Sequence, residues 1–515
     1  MASQLFARKP LSLLLEEAKG ENRLRRVLGP VQLTALGVGA IIGAGIFVAT
    51  GAAAHNVGGP ALMLSYVVAG ITCVFAALCY AEFAAMVPVA GSAYTYAYAT
   101  LGELFAWIIG WDLVLEYAVG SATVATGWSG YFQNVLAKFG WHLPAVLRES
   151  PWRYDGALGQ FVSTGSYVNL PAIVIVALVT AILVKGISES ASFNAAMVMI
   201  KLAAVLFVIA VGVFYIDTEN WKPFAPFGWT GINFFGHHLA GQTDPGGSPV
   251  GMLAGAAIIF FAYIGFDSVS THTEEAKNPQ RDVPIGIITS LVICTVLYIA
   301  VVAVLTGMVR YDQLDINAPV SRAFQQKDIG WAEFLIAAAG VAGITSVLLV
   351  MMLSGPRVFL AMARDGLVPK GFFGDVHPRF RTPWKSTIAI GCFVIIGAGL
   401  APIDFLLHLT NIGTLLAFVI VCTAVLIMRK KHPEAERPFR CPWVPFVPVM
   451  GILACLLLMF SLPTGNWWRL GAWLAIGLVI YFFYGRKHSV MAQQAASAAA
   501  GTQPGPTSSW PRPGG

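Results

Sequence analysis

Charge is what this chain has least of. Only 11% of its 515 residues are Asp, Glu, Lys or Arg, against roughly 25% in an ordinary soluble domain. With 57% hydrophobic residues and a mean hydropathy of +0.71, that scarcity excludes a soluble globular protein and leaves a multi-span membrane protein. Paired cysteines are lacking as well. Cys73, Cys79, Cys294, Cys392, Cys422, Cys441 and Cys455 fall inside apolar stretches or beside them, with no spacing that suggests a disulfide framework or a metal site. Neither a nucleotide-binding glycine loop nor a pair of catalytic carboxylates is present, which argues against a membrane-embedded enzyme. His55, His237, His238, His272 and His408 are scattered and read as surface or packing residues. The first residues show no short apolar core with a cleavage site, so no signal peptide is read there.

What is there is a series of apolar segments of about 20 residues, each long enough to cross ~30 Å of hydrocarbon as a helix. About twelve are read, centred near Gly43, Cys73, Val119, Val176, Leu206, Ile264, Leu297, Ser346, Ile390, Phe418, Leu453 and Ile476. Placing the N-terminus inside assigns 23 Lys and Arg to cytoplasmic segments and 8 to external ones, with Lys201 inside a span. That bias follows the positive-inside rule and predicts both termini in the cytoplasm. It also accounts for the net charge of +6 without nucleic acid as a partner. Residues 1–30, with Arg8, Lys9, Lys19, Arg23, Arg25 and Arg26, predict an amphipathic segment along the inner surface. Residues 138–168 and 217–250 read as external loops. The Ala, Gln, Ser, Pro and Gly stretch of 488–515 cannot bury a core and predicts a disordered tail.

The informative stretch runs from Thr34 to Thr50. Gly37, Gly39, Gly43 and Gly45 crowd it, and each glycine weakens a helix by roughly 0.5 to 1 kcal/mol relative to alanine. If the helix breaks near Gly43, Ala44 and Gly45, the half that restarts offers free N–H groups at a positive dipole end, which suits a carboxylate. The plainer reading is that small residues let a neighbouring helix approach closely. About 220 residues later, Phe260-Phe261-Ala262-Tyr263-Ile264-Gly265-Phe266-Asp267 marks a second interruption, with Asp267 placed to cap the restart. Two interrupted spans in corresponding positions point to a midplane binding site between inverted repeats. The repeats would be residues 31–217 (spans one to five) and 250–430 (spans six to ten), with two further spans in 441–487.

Lys201 is the informative charge. Counted from Ser192 it lies roughly 14 Å along its helix, near the midplane, where an ammonium marks an ion pathway or a paired site. Three readings stand: proton handling, a static pair with Glu116 at a similar depth, and snorkelling. Glu116 is open in the same way, and Asp112, four residues before it on the same face, reads as structural. Thr345 and Ser346 in the eighth span could bring hydroxyls to that level. Phe261, Tyr263 and Phe266 are either packing or a ring that closes over a ligand.

These motifs carry a resemblance. Gly39 to Phe47, Phe261 to Asp267, the Glu274-Glu275 to Pro284 loop and the Arg364-Asp365-Gly366 exit together resemble the amino acid, polyamine and organocation superfamily. Within it the chain is similar to bacterial members of the cationic amino acid transporter family over residues 25–488. The resemblance implies an all-α membrane fold of the leucine-transporter type, with five-plus-five inverted repeats, broken helices 1 and 6, two extra C-terminal helices and alternating access. By position it implies that Ile41, Ala44 and Gly45 bind the substrate carboxylate, and that Phe261, Ala262 and Ile264 offer carbonyls to the α-amino group with Phe261 as a gate. Lys201 matches a fifth-span lysine that stands in for sodium and couples to protons, and Glu116 a third-span acid linked to that event.

Met351 departs from the small polar residue of members selective for arginine and lysine. The expectation is therefore a proton-coupled symporter of small or neutral L-amino acids such as alanine, with weak transport of cationic ones, needing neither sodium nor a cofactor. The alternatives are an amino acid or polyamine exchanger and a nonconcentrative facilitator or nutrient sensor. Membrane lipids, a small single-span subunit or a sterol-like lipid are the partners implied, and the bacterial inner membrane is the location.

Overall fold

The computed structural model describes residues 5–10, 28–86, 92–155, 158–186, 191–235, 237–271, 273, 276–316 and 318–493. Most of the amphipathic segment expected in 1–30, the Glu274-Glu275 pair, and 494–515 of the expected tail lie outside them.

The apolar segments are helices. The first run holds α1 (Pro30–Ile41) and α2 (Leu62–Met86), followed by the short α3 (Ser92–Thr100) and then α4 (Glu103–Lys138), the third span. Next come α5 (Leu170–Lys185), α6 (Ala191–Gly212), α7 (Met252–Ile259), α8 (Pro279–Met308), α9 (Pro319–Gln326) and α10 (Gly330–Arg364). The chain closes with α11 (Trp384–Leu400), α12 (Ile403–Lys431), α13 (Phe446–Phe460) and α14 (Gly465–Ile480). Among the described residues, seven stretches are long and apolar enough to cross a membrane, and four shorter apolar helices accompany them. The protein is a multi-pass, predominantly helical membrane protein.

Its burial pattern is that of a bundle in lipid. α4 is buried almost all round, whereas α5 and α14 expose Val174, Leu178, Ile182, Ile476 and Val479, as helices do whose outer faces meet acyl chains rather than water.

The two long loops are not irregular, as a purely helical reading implies. Residues 138–168 contain a hairpin of β1 (Trp152–Asp155) with β2 (Gln160–Ser163). Residues 217–250 contain a three-stranded antiparallel sheet of β3 (Gly231–Phe234), β4 (His237–Thr243) and β5 (Pro249–Val250). Strand pairing satisfies backbone groups that no lipid or helix would. The two sheets touch through Tyr154 and Asp244, so both loops share one face of the bundle, here the hairpin face. On the opposite, terminal face the two chain ends meet: Lys9 and the backbone of Val490 both bond Asp365. The expected tail therefore begins too early at 488, because Ser489 is buried and 490–493 form a further helical turn.

Candidate functional site

Both interruptions read from the glycines are present, and they cross. α1 stops at Ile41, and Ile42 is extended, with φ −70° and ψ 106°. The chain rewinds as a π-helical turn over Gly45–Ala49 whose approach is marked by the Phe47 N–H donating to the Gly43 carbonyl at 3.2 Å. The amides of Gly43, Ala44 and Gly45 precede that bond and have no helical acceptor behind them. In the second interruption α7 ends in a 3₁₀ turn over Phe260–Tyr263, Ile264 is extended with ψ 132°, and Gly265 takes φ +118°. A β-carbon at Gly45 would stand 2.2 Å from the Ala262 Cα, and one at Gly265 would stand 2.8 Å from the Ala40 carbonyl oxygen. The glycines thus serve both readings at once: the helix breaks, and the gap is filled by the other broken segment.

Breaking two helices inside a membrane strands carbonyl oxygens, and each stranded group costs several kcal/mol unless it finds a donor. Side chains from four neighbouring helices supply the donors. Lys201 on α6 is 1% exposed and its ammonium donates to the Gly39 carbonyl at 2.6 Å. The Tyr298 hydroxyl on α8 lies 2.8 Å from the Ile41 carbonyl and 3.1 Å from that of Ala262, touching both broken segments at once. Tyr131 on α4 donates to Phe47 O at 2.6 Å. Asn411 on α12 donates to Ala257 O at 2.8 Å and Ile258 O at 2.7 Å.

Of the residues expected at a site, the structure gathers Ile41, Ala44, Gly45, Phe261, Ala262 and Ile264 into one buried locus. The carbonyls of Ile41 and Ala262 are engaged by Tyr298, and that of Phe261 accepts from the Ile264 amide. Tyr263 packs in a triad with Tyr66 and Tyr298, and Phe266 against Tyr80 and Phe418. Phe261 has no ring partner among the described residues, which leaves it the freest of the three. Met351 on α10 is buried, with its Cε 2.7 Å from where Gly120 would carry a β-carbon.

Lys201 and Glu116 are not brought together. The static ion pair weighed between them is absent, since the lysine bonds the Gly39 carbonyl on α1 while Glu116 lies in a separate cluster. There Glu116 sits with Thr414, Asp112 and Asp267, and Asp267 is reached by the Tyr117 hydroxyl. Among the described residues, one oxygen of Glu116 and both oxygens of Asp112 have no hydrogen-bond partner. The eighth-span hydroxyls are already engaged: Thr345 accepts from Trp128 Nε1 at 2.9 Å and donates to Val341 O, and Ser346 donates to Gly343 O. The aliphatic stem of Lys201 does lie against Gly343, so α6 and α10 meet at that level.

Sequence reasoning missed Tyr298, Tyr131 and Asn411 as holders of the breaks. An asparagine in the middle of an apolar span is a signal for Asn411; a tyrosine in such a span carries almost none.

Two unwound helices that cross, with backbone amides and carbonyls turned to a common locus and a buried lysine beside them, define a membrane transporter rather than an enzyme. The comparisons agree. Residues 28–483 match the model of the amino acid permease family, and the chain belongs to that family and to the amino acid, polyamine and organocation superfamily. It is 45% identical to the methylthioribose transporter of Bacillus subtilis over 95% of this chain and 99% of that one. It is 46% identical to the branched-chain amino acid permease BcaP of the same organism over 96% and 100%. It is 38% identical to cationic amino acid transporter 4 of Homo sapiens over 82% of this chain and 63% of that one.

Proposed function

We propose that this protein is a proton-coupled symporter of neutral L-amino acids. The observation that carries the reading is the Lys201 ammonium bonded to Gly39 O at 2.6 Å. A cation held against the unwound backbone of the first broken helix occupies the place a coupling sodium takes in transporters of this architecture. Loss of its proton would remove both the charge and the charge-assisted bond. Proton binding at Lys201 would thereby stabilise the inner half of the first break, and release would loosen it. Substrate would lie at the crossing, its carboxylate on the amides of Ala44 and Gly45 behind Ile41, and its ammonium on the carbonyls of Phe261, Ala262 and Ile264. Glu116, with an oxygen that no described residue bonds, is the second proton-handling group. In this reading the two breaks belong to five-plus-five inverted repeats within about twelve spans, the terminal face is cytoplasmic, and the protein works in the cell membrane.

Met351 favours a neutral side chain, because its thioether fills the wall where a long cationic chain would extend. Small residues such as alanine are the first choice. A relative named for branched-chain amino acids at 46% identity supports a second reading, in which leucine, isoleucine and valine are the preferred substrates.

The test is uptake of labelled L-alanine and L-leucine into proteoliposomes under an inward proton gradient, with and without sodium, beside Lys201→Ala and an L-arginine competition series. Accumulation that follows the proton gradient, ignores sodium and is lost in Lys201→Ala is the expected result. Equilibration without accumulation would instead mean an exchanger or facilitator, and strong arginine competition would overturn the role given to Met351.

A further inference from the structure

On the hairpin face a cavity of about 340 Å³ opens where two membrane spans end. It lies between the last turns of α4, the link that follows them, α9 and the first turn of α10. Its volume falls within the range of ligand pockets, about 300–1,000 Å³. Phe139, Trp141 and Trp331 stand exposed at the same span ends, and Trp141 lines the cavity itself. Exposed aromatic rings at the ends of membrane spans form the belt that sits among lipid head groups. The cavity therefore opens at head-group depth.

Its charge is positive. Among the described residues that line it, Lys138, Arg148 and Arg322 face a single carboxylate, Glu333. That carboxylate is paired with Lys138 at 2.5 Å, which leaves two guanidinium groups in excess. Among the described residues, Arg148 donates from its side chain only to Leu143 O, at 2.7 Å, and Arg322 only to the Gln325 side chain, at 2.6 Å. A guanidinium carries five N–H donors, so most remain for a ligand. Both arginines are positioned from α4: Gln133 donates to Arg148 O at 2.8 Å, and Asn134 donates to the hydroxyl of Ser321, beside Arg322, at 3.0 Å. A second cavity of about 190 Å³ shares both arginines but adds Glu149, Asp315 and Asp404, so an anion is drawn to the first cavity and not to the second.

We propose that the larger cavity binds a phosphate oxyanion between Arg148 and Arg322. The planar fork of arginine matches phosphate bidentately, and basic pockets between membrane helices take phospholipid head groups. At the depth of the aromatic belt the phosphate at hand is that of an anionic phospholipid in the same leaflet; inorganic phosphate brings the same chemistry from solution. An occupant ties α9 to the link after α4. α9 in turn covers the first broken segment, where a β-carbon at Gly51 would stand 2.6 Å from Pro319, so the site bears on the cover of that break.

Binding to the full chain in nanodiscs tests it, with the double variant Arg148→Gln/Arg322→Gln and, as a control, Arg153→Gln, whose arginine lines only the second cavity. One arm uses mixed phosphatidylcholine and phosphatidylglycerol in phosphate-free buffer, with retained lipid counted by native mass spectrometry. The other uses phosphatidylcholine alone and titrates inorganic phosphate by calorimetry. If a lipid is the occupant, the unaltered chain and the control retain one phosphatidylglycerol more than the double variant. If free phosphate is the occupant, it binds the unaltered chain and binds the double variant at least about tenfold more weakly. Equal lipid retention together with phosphate binding that is absent, or that the double variant leaves unchanged, overturns the proposal and makes the arginines ties for their own loops. Should the double variant not fold, Arg148→Gln alone, at an exposed residue, decides in the same way. No amino acid enters either arm, so failure of the symport reading in the uptake assay and failure of this site are separate results.

Discussion

The two breaks solve one problem with different chemistry. Each strands carbonyls at membrane depth, and each borrows donors from neighbouring helices. The second relies on neutral groups, the Asn411 amide on Ala257 and Ile258 and the Tyr298 hydroxyl on Ala262. The first shares Tyr298 and adds Tyr131, but its innermost carbonyl, Gly39 O, is held by an ammonium. A neutral amide holds its carbonyl equally at any working pH, whereas the charge-assisted hold of an ammonium lasts only while the lysine is protonated. Under the proposed coupling role of Lys201, the first break is the one whose brace depends on a proton and the second is braced by neutral groups, with Tyr298 touching both.

The sharpest way to break that comparison is Lys201→Ala. Accumulation of substrate under a proton gradient is expected to fall by about 100-fold, because the charge-assisted bond and the protonatable group vanish together; uptake into proteoliposomes reads it.

Next is Tyr298→Phe, which keeps the ring of the tyrosine triad and removes only the hydroxyl. Leaving the carbonyls of Ile41 and Ala262 unpaired costs about 1–3 kcal/mol, so uptake is expected to drop by about tenfold with the fold intact by size-exclusion chromatography.

Asn411→Leu sharpens the other side. Two carbonyls of α7 lose their donor, and the cost of about 1–3 kcal/mol is expected as a lower melting temperature. The pH dependence of the remaining uptake should match that of the unaltered protein.

Met351→Ser is the smallest of the four. Opening the wall beside Gly120 is expected to improve arginine competition by about 5-fold while weakening uptake of neutral substrates by a similar factor, since a few methylene groups are worth about 1–3 kcal/mol in discrimination.

Much of this was legible in the chain. Glycines concentrated in an apolar span mark backbone that cannot remain a helix, and Gly43 and Gly45, with Gly265 and Asp267, located both breaks to within a residue or two. A lysine surrounded by Leu, Ala and Val had to serve a polar partner. Which partner was not legible. Lys201 and Glu116 lie at similar depth along their helices, but depth says nothing of azimuth, and they face different neighbours. The donors that hold the breaks were hidden for a related reason: Tyr131 and Tyr298 look like ordinary aromatics until the carbonyl opposite is known to be free. The sheets of the hairpin face were masked by short strands, of 2 to 7 residues, lying among Gly, Pro and aromatic residues that read equally well as loop. Ser489 and Val490 had no apolar run to announce that they pack, since what holds them is polar contact with Glu103 and Asp365.

The most direct measurement is a pair of assays on one Lys201→Ala preparation: accumulation under a proton gradient, and counterflow of labelled substrate with no gradient. If Lys201 couples protons while the crossing of the breaks binds substrate, accumulation disappears and counterflow persists. A variant that still concentrates substrate along the proton gradient would contradict the account, and the lysine would then be only another brace for a broken helix.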